Sequence, residues 1–324
     1  MLHAIRIHEV GGPEVMQWEP VEVGVPGPGE ARIRHTAVGL NFADVYSRTG
    51  LYPSPLPTGL GSEAAGVVEA VGPGVADVKP GDRVAYGGAP LGSYAEARLI
   101  PAHRLIKLPD AIPDATAAAM MLKGLTVQYL IRQTYSVKPG DTILCHAAAG
   151  GVGLILCQWA KHLGATVIGT VSSDEKAAIA RAHGCEHPIV STREDFEARV
   201  LEITSGRKVP VVYDSIGKDT FMASLDCLAP LGLMVSFGNS SGAVESFNLG
   251  VLASKGSLYV TRPTLGTYTA HRESLVGMAK ELFEVVLSGA VKIEVNQTYP
   301  LKDAARAHRD LEARKTTGST VLTV

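Results

Sequence analysis

The chain has 324 residues, is 46% apolar and sets 30 Lys and Arg against 32 Asp and Glu. That is too long for one ordinary core and too apolar for disorder, so it suits two folded domains. A formal charge of −2 with no charge run gives no footprint for a nucleic-acid or acidic-surface partner.

Residues 1–110 read as β. Ala31, Ile33, His35 and Ala37 alternate with Arg32, Arg34 and Thr36, the period of a half-buried strand. Ala64–Val71 is small and apolar and suits a buried strand. Gly-Pro punctuation at 11–13, 26–29, 72–74 and 79–82 marks turns, and short strands so divided predict a small barrel.

The texture changes after Pro113, where residues 114–134 carry Ala, Met and Leu with few breakers and read as a helix. Strands and helices then alternate. Strands are expected at Thr142–His146, Thr166–Val171, Val209–Tyr213, Leu233–Phe237 and Ser257–Thr261. Helices are expected at Val152–Leu163, Asp174–His183, near 270–288 and near 302–314, and Thr320–Thr323 closes the chain as a strand. Such alternation predicts a parallel sheet covered on both faces. The segment Lys-Pro-Gly-Asp occurs at 79–82 and again at 138–141. Both copies read as a type II turn before a strand, not as an internal repeat.

Four cysteines, Cys145, Cys157, Cys185 and Cys227, form no CxxC pair and no Cys/His cluster of zinc spacing. They read as reduced thiols in apolar surroundings. The first residues, MLHAIRIHEVGGPEV, lack the apolar region of a signal peptide, and no run of about 18 apolar residues is present to span a membrane. The expectation is a cytoplasmic protein.

The strongest motif is His146-Ala147-Ala148-Ala149-Gly150-Gly151-Val152-Gly153. It follows an apolar strand and opens a helix whose Val152, Ile155, Leu156, Trp159 and Leu163 share one face. A glycine turn there lets a pyrophosphate approach the backbone and meet the helix N-terminus. The spacing Ala-x-x-Gly-x-x-Gly departs from the common GxGxxG, so the βαβ context carries the reading. An NAD site places Asp or Glu at the end of the next strand. Here Val171 is followed by Ser172 and Ser173, with Lys176 one turn on. That favours the 2′-phosphate of NADPH.

Together these residues resemble the bacterial NADPH:quinone oxidoreductases, the zeta-crystallin-like, zinc-free branch of the medium-chain dehydrogenase/reductase family. The similarity runs through Gly39-Leu40-Asn41-Phe42, Gly50-Leu51-Tyr52-Pro53, Gly61–Gly66, Lys123-Gly124-Leu125-Thr126, His146–Gly153, Val212–Ser215, Met234–Gly242, Lys255–Pro263 and Gly318-Ser319. It implies an α/β protein: a GroES-like β-barrel domain from residues 1–122 and 263–324, and a Rossmann doubly wound parallel-sheet domain, residues 123–262, inserted between them. It implies an active site in the cleft, and a homodimer joined at Ser257–Thr261.

The resemblance also implies site residues. Asn41, Tyr46 and Tyr52 would line the nicotinamide and substrate cleft. Thr126, Gly150, Gly151, Val152 and Gly153 would hold the diphosphate, and Ser172 and Lys176 the 2′-phosphate. Phe237, Gly238, Asn239 and Ser240 would pass the nicotinamide, and Arg314 would reach the cofactor. Where zinc-containing relatives carry their catalytic ligands, this chain has Asn41, Ser62 and Leu122, which cannot make the three-ligand set of a catalytic zinc. Asp44 and Glu63 keep neighbouring acidic positions and are expected to organise the cleft. The family often has a tyrosine where Ser191 stands, followed here by Thr192 and Arg193.

A quinone is a strong acceptor and needs little beyond orientation and exclusion of water. The expected activity is therefore NADPH-dependent quinone reduction without metal, with Asn41, Tyr46 or Tyr52 bonding the carbonyl oxygen and water supplying the proton. An enone or enoyl reductase, and an NADPH-binding structural or RNA-binding crystallin-like protein, are the alternatives. Local roles also remain open: Tyr46 and Tyr52 as packing, Asn41 as a helix cap, Arg262 at the dimer edge and His146 as structural.

Overall fold

The computed structural model describes residues 1–324. The chain forms two compact units. One comprises Met1–Leu125, Tyr268–Leu287 and Ile293–Val324, the other Thr126–Thr267 and Ser288–Lys292.

In the first unit a long sheet runs Val295–Pro300, Ser319–Thr323, Glu30–Leu40, Glu63–Val71, Arg83–Gly87, Ile106–Lys107, with Ala97–Pro101 added on Glu30–Leu40. Leu2–Ile7 centres a second sheet between Gln17–Val21 and Thr58–Gly59. Ile5, Ile33, Leu60, Tyr86, Tyr94 and Leu322 fill the core of this unit. The alternation over 31–37 is observed: Ala31, Ile33, His35 and Ala37 are buried while Arg34 and Thr36 are exposed. It ceases at Ala37, after which every residue to Leu40 is buried. The cause is close packing, since a Cβ on Gly39 would lie 2.2 Å from the carbonyl oxygen of Ala118 in the helix Asp114–Tyr129.

The second unit is a six-stranded parallel sheet in the order His187–Val190, Thr166–Val171, Thr142–Cys145, Val209–Asp214, Leu228–Ser236, Tyr259–Thr261. Strand order reverses between Thr142–Cys145 and Val209–Asp214, the switch point at which doubly wound sheets bind ligands. Tyr259 and Val260 lie exposed on the edge strand, which is shorter than the expected Ser257–Thr261. Both Lys-Pro-Gly-Asp turns are type II, with Gly81 at φ 90° and Gly140 at φ 86°. Asp82 and Asp141 close them by accepting the Lys79 and Lys138 N–H groups at 3.0 and 2.8 Å.

Two expectations need correction. The helix expected over 114–134 is α-helical only to Tyr129, then widens to a π-turn over Leu130–Thr134. There the Leu130 carbonyl takes both the Tyr135 N–H, at 3.1 Å, and the buried Tyr213 hydroxyl, at 3.3 Å. The helix Gly151–His162 is not buried on one face alone, because Leu154, Cys157 and Ala160 are covered along with Ile155, Leu156 and Trp159. No helix is long and apolar enough to cross a membrane.

Candidate active site

In the second unit, Gly150 precedes the helix Gly151–His162 in extended conformation. The leading N–H groups of a helix have no partner within it, and the dipole makes that end positive. A Cβ on Gly153 would lie 2.3 Å from the Ala147 carbonyl oxygen, so only glycine lets the helix start this near the strand. The turn is pre-shaped by Ala147, held at φ 54°. His146 is buried between Thr170 Oγ1 and Ser224 Oγ, both 2.9 Å from its ring nitrogens, and burial pulls its pKa down. It is a structural residue.

The adjacent strand ends at Val171, and Ser172 and Lys176 are both half-buried beyond it. Ser173 caps the next helix by accepting the Lys176 N–H at 3.3 Å. The nearest acid, Asp174, is held by Arg193 through bonds of 2.5 and 2.6 Å. Thr192 Oγ1 donates to the Ser172 carbonyl at 3.3 Å, which brings the 191–193 turn alongside. At the end of Leu228–Ser236, the Phe237 N–H donates to the Asp214 carbonyl at 2.8 Å and the Ser240 N–H to the Ser215 carbonyl at 3.2 Å. Arg262 holds this loop: it donates to the Ser236 carbonyl at 2.8 Å and to the Asn239 side-chain oxygen at 3.0 Å. That contact was not foreseen. Thr126 is half-buried in its helix and Arg314 is exposed. An open helix N-terminus, a glycine that permits close approach and a strand end with hydroxyls and a lysine fit a dinucleotide diphosphate and a 2′-phosphate.

In the first unit, Asn41 precedes the helix Phe42–Thr49. Its N–H donates to Asp44 Oδ2 at 2.9 Å, while its side chain turns to Glu63 Oε2, also at 2.9 Å. Glu63 is wholly buried and takes the Lys123 ammonium at 2.8 Å and the Leu122 N–H at 2.8 Å. Asp44 is also wholly buried. Besides Asn41 it accepts the Tyr94 hydroxyl on Oδ2 at 3.0 Å and the Ser62 hydroxyl on Oδ1 at 3.2 Å. Burial pushes the Asp44 carboxyl up to about 7, against the opposing pull of these hydrogen bonds.

Behind Tyr94 stands His308, its Nε2 3.1 Å from the hydroxyl and its Nδ1 3.0 Å from Arg48. Arg48 is fixed in turn by two bonds to Glu312, of 2.9 and 2.8 Å. Arg48 can only donate, so His308 accepts at Nδ1 and donates from Nε2. Burial holds His308 down to about 3, so it stays neutral. Tyr46 and Tyr52 meet edge to face at 5.1 Å, Tyr46 buried and Tyr52 exposed. Of these residues, Asn41, Asp44 and Glu63 are singled out by the family resemblance, whereas Lys123, Tyr94, His308 and Arg48 receive no role in the site from the sequence. The available sign for Lys123 was a lysine inside the apolar run Met120–Leu125.

Two family descriptions match the chain: an alcohol dehydrogenase GroES-like domain over residues 27–110 and a zinc-binding dehydrogenase over residues 151–282. A quinone oxidoreductase of Pseudomonas aeruginosa is 58% identical, covering 99% of each chain. A crystal structure of the Escherichia coli quinone oxidoreductase, described as complexed with NADPH, superposes with a TM-score of 0.98 at 53% identity, covering 99% of this chain and 100% of that one. A 2-haloacrylate reductase of Burkholderia sp. is 50% identical over 99% of each chain. The zinc in the second family description does not fit these residues. Asn41 and Ser62 are engaged with Glu63 and Asp44, Leu122 offers no ligand, and no three His, Cys, Asp or Glu side chains gather to hold a metal.

Proposed function

The chain belongs to the quinone oxidoreductase family, the zeta-crystallin-like branch of the medium-chain dehydrogenases and reductases, and from that premise we propose that it reduces quinones with NADPH. When bound, NADPH supplies a hydride. Gly150, Gly151, Val152, Gly153 and Thr126 hold its diphosphate, Ser172 and Lys176 its 2′-phosphate, and Phe237, Gly238, Asn239 and Ser240 flank its nicotinamide, with Arg314 contributing from the C-terminal segment. The observation that carries the cofactor choice is the strand end at Val171, where hydroxyls and Lys176 stand in place of an acid and Asp174 is taken up by Arg193. In the first unit Asn41, Tyr46 and Tyr52 receive the substrate carbonyl. Asn41 has its amide fixed by Glu63, so it meets developing charge already oriented.

A barrel domain of residues 1–122 and 263–324 and a cofactor domain of residues 123–262 are proposed; the compact units divide a few residues away, after Leu125 and before Tyr268, and Ser288–Lys292 joins the second unit. The exposed edge Tyr259–Thr261 suits a homodimer formed by sheet extension, and four free, buried thiols suit the cytoplasm. The 50% identical 2-haloacrylate reductase favours one second reading, reduction of an activated C=C bond by the same residues. Steady-state oxidation of NADPH and NADH by 1,4-benzoquinone, corrected for the uncatalysed reaction, tests the proposal. Turnover with NADPH preferred is expected. Turnover with both alike would refute the roles of Ser172 and Lys176, and turnover with 2-chloroacrylate alone would select the second reading.

A further inference from the structure

The polar network around Asp44 reaches the surface on the Asn41 and Ser62 side, and on the far side of Arg48 at Glu312, whose side chain is 34% exposed. Asp44, Glu63, Tyr94 and His308 show no exposed surface, whereas Asn41 keeps 8% and Ser62 6%. The hydrogen bonds run in one direction. Arg48 donates to His308, His308 donates to Tyr94, and Tyr94 donates to Asp44 Oδ2. Oδ2 takes the Asn41 N–H as well, so both its acceptor sites are filled. Oδ1 has a single donor, Ser62 Oγ at 3.2 Å. A proton arriving on Asp44 therefore sits on Oδ1, where it reverses the bond to Ser62 and frees the serine hydroxyl proton to point away from Asp44.

We propose that Ser62 delivers the proton that completes reduction of the acceptor, and that Asp44, acting through Ser62, is the positioning acid that reloads it. The proposal rests on the quinone reading above. Reduction of a quinone to a hydroquinone takes two electrons and two protons. Oxidation of NADPH provides both electrons and one proton, leaving negative charge on a quinone oxygen. The Ser62 O–H bond breaks as the O–H bond on that oxygen forms, and the Asp44 Oδ1 proton moves to Ser62 Oγ. Asp44 is left as the carboxylate, and after the product departs water at the Asn41–Ser62 opening returns the proton. Tyr94 cannot refill Asp44 from behind, because His308 Nδ1 is closed by a guanidinium that never gives up its proton.

Other charged groups set the balance. Burial opposes the Asp44 carboxylate, and the Asn41 N–H, the Tyr94 and Ser62 hydroxyls and the Lys123 charge favour it. The charges of Glu63 and Arg48 act on the intervening Tyr94. With the Asp44 carboxyl at about 7, both protonation states are populated near neutrality.

The test uses the full chain with NADPH and tetramethyl-1,4-benzoquinone, a weaker acceptor than 1,4-benzoquinone and so more dependent on proton delivery. The wild type is expected to lose kcat as pH rises through about 7 and to show a solvent deuterium effect. S62A should lower kcat by about 100-fold and abolish both the pH limb and the isotope effect. D44N should do the same, with a smaller loss in either variant toward 1,4-benzoquinone. Infrared difference spectra of protein labelled with 13C-aspartate give a readout without turnover. A protonated-carboxyl band should vanish with a midpoint near 7, be absent in D44N and move to higher pH in S62A, which removes a donor to the carboxylate. An S62A enzyme that keeps the pH limb and isotope effect would overturn the proposal. So would a wild type with no protonated-carboxyl band in the neutral range. If the wild type turns over no quinone, the quinone reading fails and the infrared titration alone decides: an S62A midpoint equal to that of the wild type sinks the relay.

Discussion

Replacing Lys123 with methionine separates the buried network from ordinary surface charge. The Lys123 ammonium lies 2.8 Å from Glu63 Oε2, with side-chain exposures of only 6% and 0%. Methionine keeps most of the stem volume but removes the donor and the charge. Glu63 then retains the Asn41 amide and the Leu122 N–H as partners, but no cation in contact. Breaking one side of a buried pair costs about 3–5 kcal/mol, because the remaining charge is stranded away from water. At about 2–4 °C per kcal/mol for a domain of this size, K123M should lower Tm by roughly 10 °C. The E63Q/K123M double variant, which strands no charge, should recover most of that. Lys218, 3.0 Å from Glu245 but with side chains 56% and 76% exposed, is the control, and K218M should leave Tm unchanged. Calorimetry on the three variants is the assay. Equal Tm values for K123M and K218M, or a double variant no better than K123M, would refute the assignment of Glu63 as a buried charge held by Lys123.

Asp44 and the buried histidines make opposite contributions to stability across pH. The Asp44 carboxyl is raised by burial to about 7, so the folded chain holds a proton that the unfolded chain loses near pH 4. Its contribution is complete below that lower value and is lost as pH rises through about 7, and D44N should flatten this slope in urea midpoints measured against pH. His308 is held down to about 3, so its contribution is complete above the ordinary histidine value near 6.5 and is lost as pH falls toward 3. H308Q should therefore lessen the acid sensitivity of the same midpoints. K176A should weaken NADPH binding by about tenfold or more, the worth of one charge-assisted hydrogen bond, and leave NADH binding unaltered in fluorescence titrations. Equal losses for both cofactors would remove Lys176 from the 2′-phosphate site. G153A should destabilise the chain by about 1–3 kcal/mol and abolish NADPH binding, since its Cβ meets backbone at 2.3 Å and cannot be relieved by a side-chain shift. Circular dichroism melts and NADPH fluorescence would check both.

What the sequence disclosed and what it withheld divide along chain distance. The strand Thr166–Val171, the helix starting at Asp174 and the turn at His146–Gly153 are local patterns, and each lies where period and punctuation place it. The bonds that make the first unit's network are not local. Lys123 and Glu63 are 60 residues apart, Tyr94 and His308 are 214 apart, and Arg48 and Glu312 are 264 apart. No helical or strand period connects such pairs, and a Tyr, His or Arg read alone is assigned to packing or to solvent. One local sign does exist. Gly39 precedes Asn41 by two residues, and a Cβ on Gly39 would lie 2.3 Å from Glu63 Oε2. Gly61 stands directly before Ser62, and its Cβ would lie 2.2 Å from the Tyr94 ring. On the strand at Gly39 the glycine leaves room for the buried Glu63 carboxylate, and at Gly61, in the turn before Glu63–Val71, a φ of 85° as well as the Tyr94 ring calls for glycine. A glycine at a strand end or turn beside a polar residue therefore marks a place where a distant polar group enters the core. That reasoning ties the chamber around Asp44 to Gly39-Leu40-Asn41 through volume and to Gly61-Ser62-Glu63 through volume and backbone conformation together.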